Sequence, residues 1–267
     1  MKPWVYLSKD GSDEYINMMA LARGQQPTNT QNFDYAANYA PIVMRGILKH
    51  KLREQCRRDG RDFYYMDSGY FGNLPCATNP QGWKLWHRIV KNDVQHREFP
   101  DRPGDRLARL NITVPIQRRR GSRIIVAVPD DKPCRVYGLD RQAWIQQTVQ
   151  TLSAHSDRPI VIRERVPSRQ QRVVHAPLSE LLTDAWALVT FNSVAAIEAV
   201  LAGVPAFVGS PVHAADPVAN RDLALIETPS WPCADDITAW LRSLSYGQFH
   251  VSELKDGTAQ RILESTA

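Results

Sequence analysis

An Asn-Ser pair followed five residues later by a lone carboxylate, in the run FNSVAAIEAVLAGVP at residues 191–205, is the feature of this 267-residue chain best suited to chemistry. The pair ends a short apolar run of strand length, Ala187–Phe191, and opens a small-residue helix predicted over Val194–Ala202. Ser193 carries a hydroxyl that can cap such a helix by accepting a bond from an orphan backbone amide, and Gly203 supplies the left-handed residue that stops it. Pro205–Val208 then reads as a second buried strand. Amides at a helix start point beyond the carboxyl end of the preceding strand, where hydrogen bonding and the helix dipole both favour a phosphate. Glu198 stands among Val, Ala, Ile and Leu, so its carboxylate calls for a partner. Read alone, the same residues also fit a plain strand-turn-helix connection with Glu198 on its outer face.

A second candidate is an acid. Arg61–Met66, with Phe63, Tyr64 and Tyr65, has high β propensity and runs into DSGYFGN at residues 67–73. That places Asp67 at the carboxyl end of a parallel strand, where α/β folds put their chemistry. Asp67 suits a general base that takes a proton from a hydroxyl nucleophile; capping its own turn is the alternative. His87, His96 and Asp93 are the fallback bases. Tyr70 and Phe71 in the loop, with Lys84, Trp86, His87, Arg88 and Lys91 in WKLWHRIVKNDVQHR (residues 83–97), mix stacking faces with phosphate donors and form the candidate acceptor surface. His213, after Gly209-Ser210-Pro211, is placed to reach a leaving group.

The elements needed to position these groups alternate. Strands are predicted at Trp4–Leu7, Pro41–Ile47, Arg61–Met66, Arg123–Val128, Pro159–Arg163 and Val173–Val174, besides the pair above. Helices are predicted at Asp13–Arg23, Leu48–Arg58, Asp140–Ala154, Leu178–Thr183 and Asp235–Leu244. Residues 24–40 are amide-rich and aperiodic, a surface loop. Strands alternating with helices imply an α/β fold with parallel sheets. The length accommodates two domains, drawn at 1–117 and 118–267, with residues 97–122 as the connection.

The FNSVAAIEAVLAGVP element resembles the donor-binding element of GT-B glycosyltransferases, most closely the capsule-polysaccharide type, over roughly residues 158–215. The resemblance implies two facing Rossmann-like domains, a nucleotide-sugar donor (UDP-sugar first), no metal and no cofactor. It assigns Asn192 and Ser193 to the diphosphate and Glu198 to the ribose hydroxyls. Arg163 is carried over as a donor contact, although the His-Pro that follows it in capsule-type enzymes is replaced here by Glu164-Arg165. The first half is the expected acceptor domain and the second the sugar-nucleotide domain. In size and organisation the chain is also similar to the GT-B phage enzymes that glycosylate hydroxymethylated pyrimidines in DNA.

Charge points the same way. Residues 1–120 hold 20 Lys+Arg and 12 Asp+Glu, a net +8, whereas the remainder nets −3. A basic first half interleaved with aromatics is expected to meet DNA, releasing phosphate counterions. A polysaccharide glycosyltransferase, a sugar-nucleotide epimerase and a non-catalytic nucleic-acid-binding protein are the competing readings. No apolar run approaches the roughly 20 residues of a membrane span, and MKPWVYLSKDG lacks a signal-peptide core, so a cytoplasmic setting without membrane contact is expected. Cys56, Cys76, Cys134 and Cys233 form no C-x-x-C pair, and the seven histidines show no ligand spacing; free thiols and no metal site are expected.

Overall fold

The computed structural model describes residues 3–9, 13–37, 39–47, 49–71, 85–164 and 178–265. The expectations placed on Cys76, on Lys84 and on Val173–Val174 lie outside the described residues. The chain forms two compact units, one of residues 1–96 with 243–267 and one of residues 97–242.

The first unit begins with β1 (Val5–Ser8), α1 (Glu14–Leu21), β2 (Thr28–Asn29), β3 (Ile42–Arg45), α2 (His50–Arg58), β4 (Phe63–Ser68) and β5 (Trp86–Lys91). The second contains α3 (Asp105–Arg109), β6 (Arg123–Ala127), α4 (Asp131–Tyr137), α5 (Arg141–His155), β7 (Ile160–Arg163), α6 (Leu178–Leu181), β8 (Ala185–Thr190), α7 (Ala195–Leu201) and β9 (Ala206–Val208). Helix α8 (Ala234–Ser245) leads back to β10 (Gln248–His250), α9 (Val251–Lys255) and α10 (Thr258–Ser265).

The α/β alternation read from the sequence is present. The second unit holds a four-stranded, wholly parallel sheet in the order β7-β6-β8-β9. The first holds a six-stranded sheet, β10-β5-β4-β3-β1-β2, that is mixed: β5 runs antiparallel to both β4 and β10. Three strands of that sheet, β2, β5 and β10, were not assigned from sequence. The short β2 lies in the amide-rich loop, and β5 lies in the 83–97 segment, where tertiary pairing overrides weak local signals.

The sequence boundary at 117/118 put the tail in the second half, whereas residues 243–267 join the first unit. The reason is pairing and burial. Gln248, Phe249 and His250 pair with Arg88, His87 and Trp86, and Phe249, Leu254, Ala259 and Leu263 enter a core with Trp4, Tyr6, Ile16, Met19, Val43, Met66 and Ile89. A fully buried Leu or Phe is worth about 1.5–3 kcal/mol each, more than a loose tail could recover in solvent.

Local chemistry explains the element ends. Asp13 caps α1 by accepting from the Ile16 amide at 3.3 Å, and Asp140 caps α5 from the Ala143 amide at 2.9 Å. Gly203, at φ +78°, ends α7 as expected, and its carbonyl accepts from the Arg119 amide. The basic run 118–120, predicted as a connection, is stitched to the amino-terminal edge of the parallel sheet. Arg119 Nε donates to the Ala202 carbonyl at 3.1 Å, and Arg118 and Arg158 stack on the Trp186 ring at 4.0 and 3.6 Å.

No helix among the described residues is long and apolar enough to cross a membrane.

Candidate functional site

In the parallel sheet the chain passes from β6 to β7 on one side and then to β8 on the other. The loops leaving β6 and β8 therefore diverge, which is the topological switch point where open α/β sheets take ligands outside their carboxyl ends. The Asn192-Ser193 turn is one of those two loops. Ser193 Oγ accepts from the Ala195 amide at 3.2 Å, the capping contact expected from sequence, and both turn residues remain half-buried.

Two neighbouring connections brace this turn. Thr190, fully buried, donates to the Ala127 carbonyl at 2.9 Å and ties β8 to β6 at their exits. Beyond β9, the Gly209 and Ser210 amides donate to the carbonyls of Thr190 and Phe191. His213 is also fully buried: its Nδ1 accepts from the Ala215 amide at 3.0 Å, which leaves Nε2 as the donor to the Ser193 carbonyl at 3.1 Å. His213 was expected to reach a leaving group; with both ring nitrogens engaged inside, its contact is with the back of the turn. Tyr137 and Trp144 pack edge-on against Phe191 at 5.5 and 6.5 Å. Beside them, an open depression of about 620 Å³ is lined by Asp131, Cys134, Arg135 and Asp140.

Glu198 is half-buried in α7, as is Leu201 at its end, whereas Ala195, Ala196, Ile197, Ala199 and Val200 are buried. Arg163 closes β7 opposite Ala127, and its carbonyl accepts from the Val128 amide at 3.0 Å. The next residue, Glu164, pairs with Arg141 at 3.0 Å. A larger depression of about 790 Å³, beside Ser122, Arg158, Pro159 and Glu227, sits at the opposite, amino-terminal edge. Parallel sheets do not place their chemistry there.

In the six-stranded sheet Asp67 is the penultimate residue of β4, directly opposite Arg88 on β5. Its carboxylate accepts from the Tyr65 hydroxyl, from the Ser68 amide at 2.8 Å and from Arg88 Nη2 at 3.3 Å. Burial works to raise its pKa, but the Arg88 charge and the two further hydrogen bonds outweigh this and hold it below the ordinary carboxylate value. The Asp67 side chain keeps a third of its surface open. Tyr65 responds in the opposite sense: burial and the Asp67 charge push its phenol well up.

The surface expected to hold an acceptor is corrected by the fold. Tyr70 and Phe71 are 2% and 6% exposed, because Gln248 clamps their backbone: its Oε1 accepts from both amides at 2.8 and 3.2 Å and its Nε2 donates to the Phe71 carbonyl at 3.1 Å. His87 is buried and packs on the Tyr15 ring at 3.9 Å. All three Arg88 nitrogens bond internally, to the carbonyls of Val94 and Ser68 and to Asp67, so a phosphate would have to displace them. Lys91 pairs with Asp62 at 3.2 Å, and Trp86 meets the His250 ring edge at 5.1 Å. Strand alternation in β5 is the signal that separates its inward from its outward residues.

Of the fallback bases, Asp93 accepts from Arg57 at 3.2 Å and from the Val94 amide at 2.7 Å. His96 Nδ1 lies 2.9 Å from the Tyr70 hydroxyl. Burial, helped by the Arg88 charge, pushes the His96 pKa down to about 4, so the ring is neutral near pH 7.

Sequence reading missed Arg45 and Lys49, which leave β3 at the same edge as Asp67. The Arg-Gly step after a strand was the available signal.

No protein-family model and no curated protein matches the chain. Among solved structures, its fold is similar to that of the KpsC beta Kdo 2,7 transferase of Thermosulfurimonas dismutans, with a TM-score of 0.50, 9% identity and 100% of each chain covered. It is also similar to the KpsC beta Kdo 2,4 transferase of the same organism, with a TM-score of 0.47 and 10% identity over 90% of this chain and 98% of the other. At this identity the likeness is one of fold.

Proposed function

We propose that this protein is a glycosyltransferase that moves a sugar from a nucleotide-sugar donor to a hydroxyl on a saccharide. The observation that carries the reading is the Asn192-Ser193 turn at the switch point of the parallel sheet, braced from behind by His213 and Thr190. A braced turn keeps its outward amides fixed, so negative charge developing on the leaving phosphate meets dipoles that need no reorganisation. In this reading Asn192 and Ser193 face the phosphates, Glu198 the ribose and Arg163 the leaving group, with His213 as a positioning residue. The fold likeness to a Kdo transferase supports the same class, and the GT-B arrangement expected from the sequence is part of the proposal.

In the transfer the acceptor oxygen bonds to the anomeric carbon, the bond from that carbon to the donor phosphate breaks, and the phosphate leaves with the electron pair. The acceptor proton passes to Asp67. A carboxylate held below its ordinary pKa is a weak base toward a neutral hydroxyl, so Asp67 orients that hydroxyl first and takes its proton late, once bond formation has acidified it. A saccharide is preferred over DNA because Tyr70, Phe71, His87 and Arg88 are folded inward and offer a polyanion neither stacking faces nor free charge.

A thermal-shift panel of UDP-, GDP-, ADP- and CMP-sugars tests the donor site: one of them is expected to stabilise the protein, and Ser193→Ala and Glu198→Ala to reduce that stabilisation. Unchanged stabilisation in both variants removes the assignment. Asp67→Asn is expected to keep donor binding and lose turnover by about a hundredfold. Transfer onto hydroxymethylated duplex DNA but not onto saccharides would restore the nucleic-acid acceptor, and epimerised donor without transfer would point to an epimerase.

A further inference from the structure

The six-stranded sheet has a switch point of its own. From β1 the chain goes to β2 on one side and returns to β3 on the other, so the exits of β1 and β3 diverge. The exit of β3 carries Arg45 and, one turn of chain later, Lys49; the exit of β1 leads to Asp13 and Tyr15.

The charges at this edge are poorly matched to one another. The Arg45 guanidinium lies over the Tyr15 ring at 4.8 Å, and its Nη1 is 4.0 Å from Asp13 Oδ2, the long limit of an ion pair. The other Asp13 oxygen is committed to the Ile16 amide at the start of α1. Arg45 Nε is buried and has no hydrogen-bond partner among the described residues. Lys49 Nζ donates to the Arg45 main-chain carbonyl at 3.4 Å, and the Arg45 charge acts on the ammonium. Burial pushes the Lys49 ammonium pKa down; Asp13 opposes this and Arg45 adds to it. Two half-buried cations thus have Asp13 at the long limit of an ion pair and feel the field of Asp67, and neither carboxylate makes a close pair with them, a place an added anion would take.

We propose that Arg45 and Lys49 form an anion subsite for a carboxylate or phosphate carried by the acceptor saccharide. The identity of the ligand rests on the glycosyltransferase reading; the existence of the subsite does not. β4 lies beside β3, with Met66 opposite Arg45, so Asp67 is the next residue along the neighbouring strand. Strand alternation turns Arg45 and Asp67 to opposite faces of the sheet, so an acid held at Arg45 and Lys49 and a hydroxyl at Asp67 would meet over the carboxyl edge where both strands end. The field of Arg45 also helps keep Asp67 ionised.

The test is calorimetric titration of the full chain with glucuronate, glucose 6-phosphate and glucose, with melting curves to confirm that each variant is folded. The wild type is expected to bind one of the two acidic sugars at least tenfold more tightly than glucose, the better of them identifying the carboxylate or the phosphate. Arg45→Gln and Lys49→Gln should each collapse that ratio toward one, Arg45→Lys should retain part of it, and Lys51→Gln, on the exposed side of α2, should leave it unchanged. No preference for an acidic sugar in the wild type, or a preference that survives both glutamine variants, overturns the subsite. Nucleotide-sugar stabilisation measured on the same samples separates the two claims. Nucleotide binding without acid preference removes the subsite alone, whereas acid preference without response to any nucleotide sugar removes the glycosyltransferase reading and keeps the subsite.

Discussion

The two sheets share a strand order at their core, β2-β1-β3-β4 in one and β7-β6-β8-β9 in the other, yet they finish their carboxyl edges with different materials. The parallel sheet is braced through backbone groups: Thr190, His213, Gly209 and Ser210 all bond main-chain atoms. The mixed sheet relies on side chains, with Asp67, Arg88, Tyr65 and Tyr70 bonded among themselves or to the loop, and it borrows a strand from the far end of the chain. Apart from the His213 imidazole, the groups that brace this turn carry no titrating atom. A side-chain network shapes charge and must titrate, and that difference matches the proposed division between holding a phosphate and handling a proton.

The largest expected effect breaks the borrowed strand. Truncation after Gly247 removes β10, α9 and α10, and with them Phe249, Leu254 and Leu263 from the core. Amide hydrogen exchange should show β4 and β5 losing protection while β6 and β8 keep theirs. Equal loss in both sheets would show that the two units do not fold as separate cores.

Titration sharpens the contrast next. His96 is neutral in the fold with a pKa near 4 against an ordinary 6.5. The unfolded chain therefore takes up a proton as pH falls through 6.5 that the folded chain refuses until about 4. Stability should decline across that window, by about 3 kcal/mol at most, and level off below it. His96→Gln should flatten the window in denaturant titrations. Asp67 acts with the opposite sign: its depressed pKa adds stability above the ordinary carboxylate value of 3.8, lost only as pH falls further, so the two effects separate. A wild-type stability that is level from pH 7 to 4 would remove the neutral state assigned to the half-buried His96.

The smallest effect probes the backbone-braced side. Thr190→Val deletes one buried hydrogen bond while preserving shape, leaves the Ala127 carbonyl one donor short, and should cost about 1 kcal/mol. Donor-induced stabilisation should shrink with it, because the brace behind Asn192-Ser193 loosens; an intact donor response would confine Thr190 to packing.

Much of the parallel sheet was legible because its signals are local. The strand run 187–191, the Ser193 cap, the Gly203 stop and the following strand each act within a few residues, and α7 and β9 stand where those signals place them. The mixed sheet was legible only up to Asp67. Residues 83–97 carry aromatics and cations whose outward or inward sense depends on the partners of β5, and those partners are β4 and a strand some 160 residues away.

Sequence by itself determined the α/β alternation, the Asn192-Ser193 turn with its helix, and the position of Asp67 at a strand end, because propensity, capping and turn chemistry are short-range. Tertiary structure alone decided that His213 faces the back of that turn, that Arg88 serves Asp67 instead of a phosphate, and that residues 243–267 complete the first sheet. The physical reason is that hydrogen-bond partners and burial are properties of pairs brought together from distant parts of the chain, and no single stretch of residues carries both members.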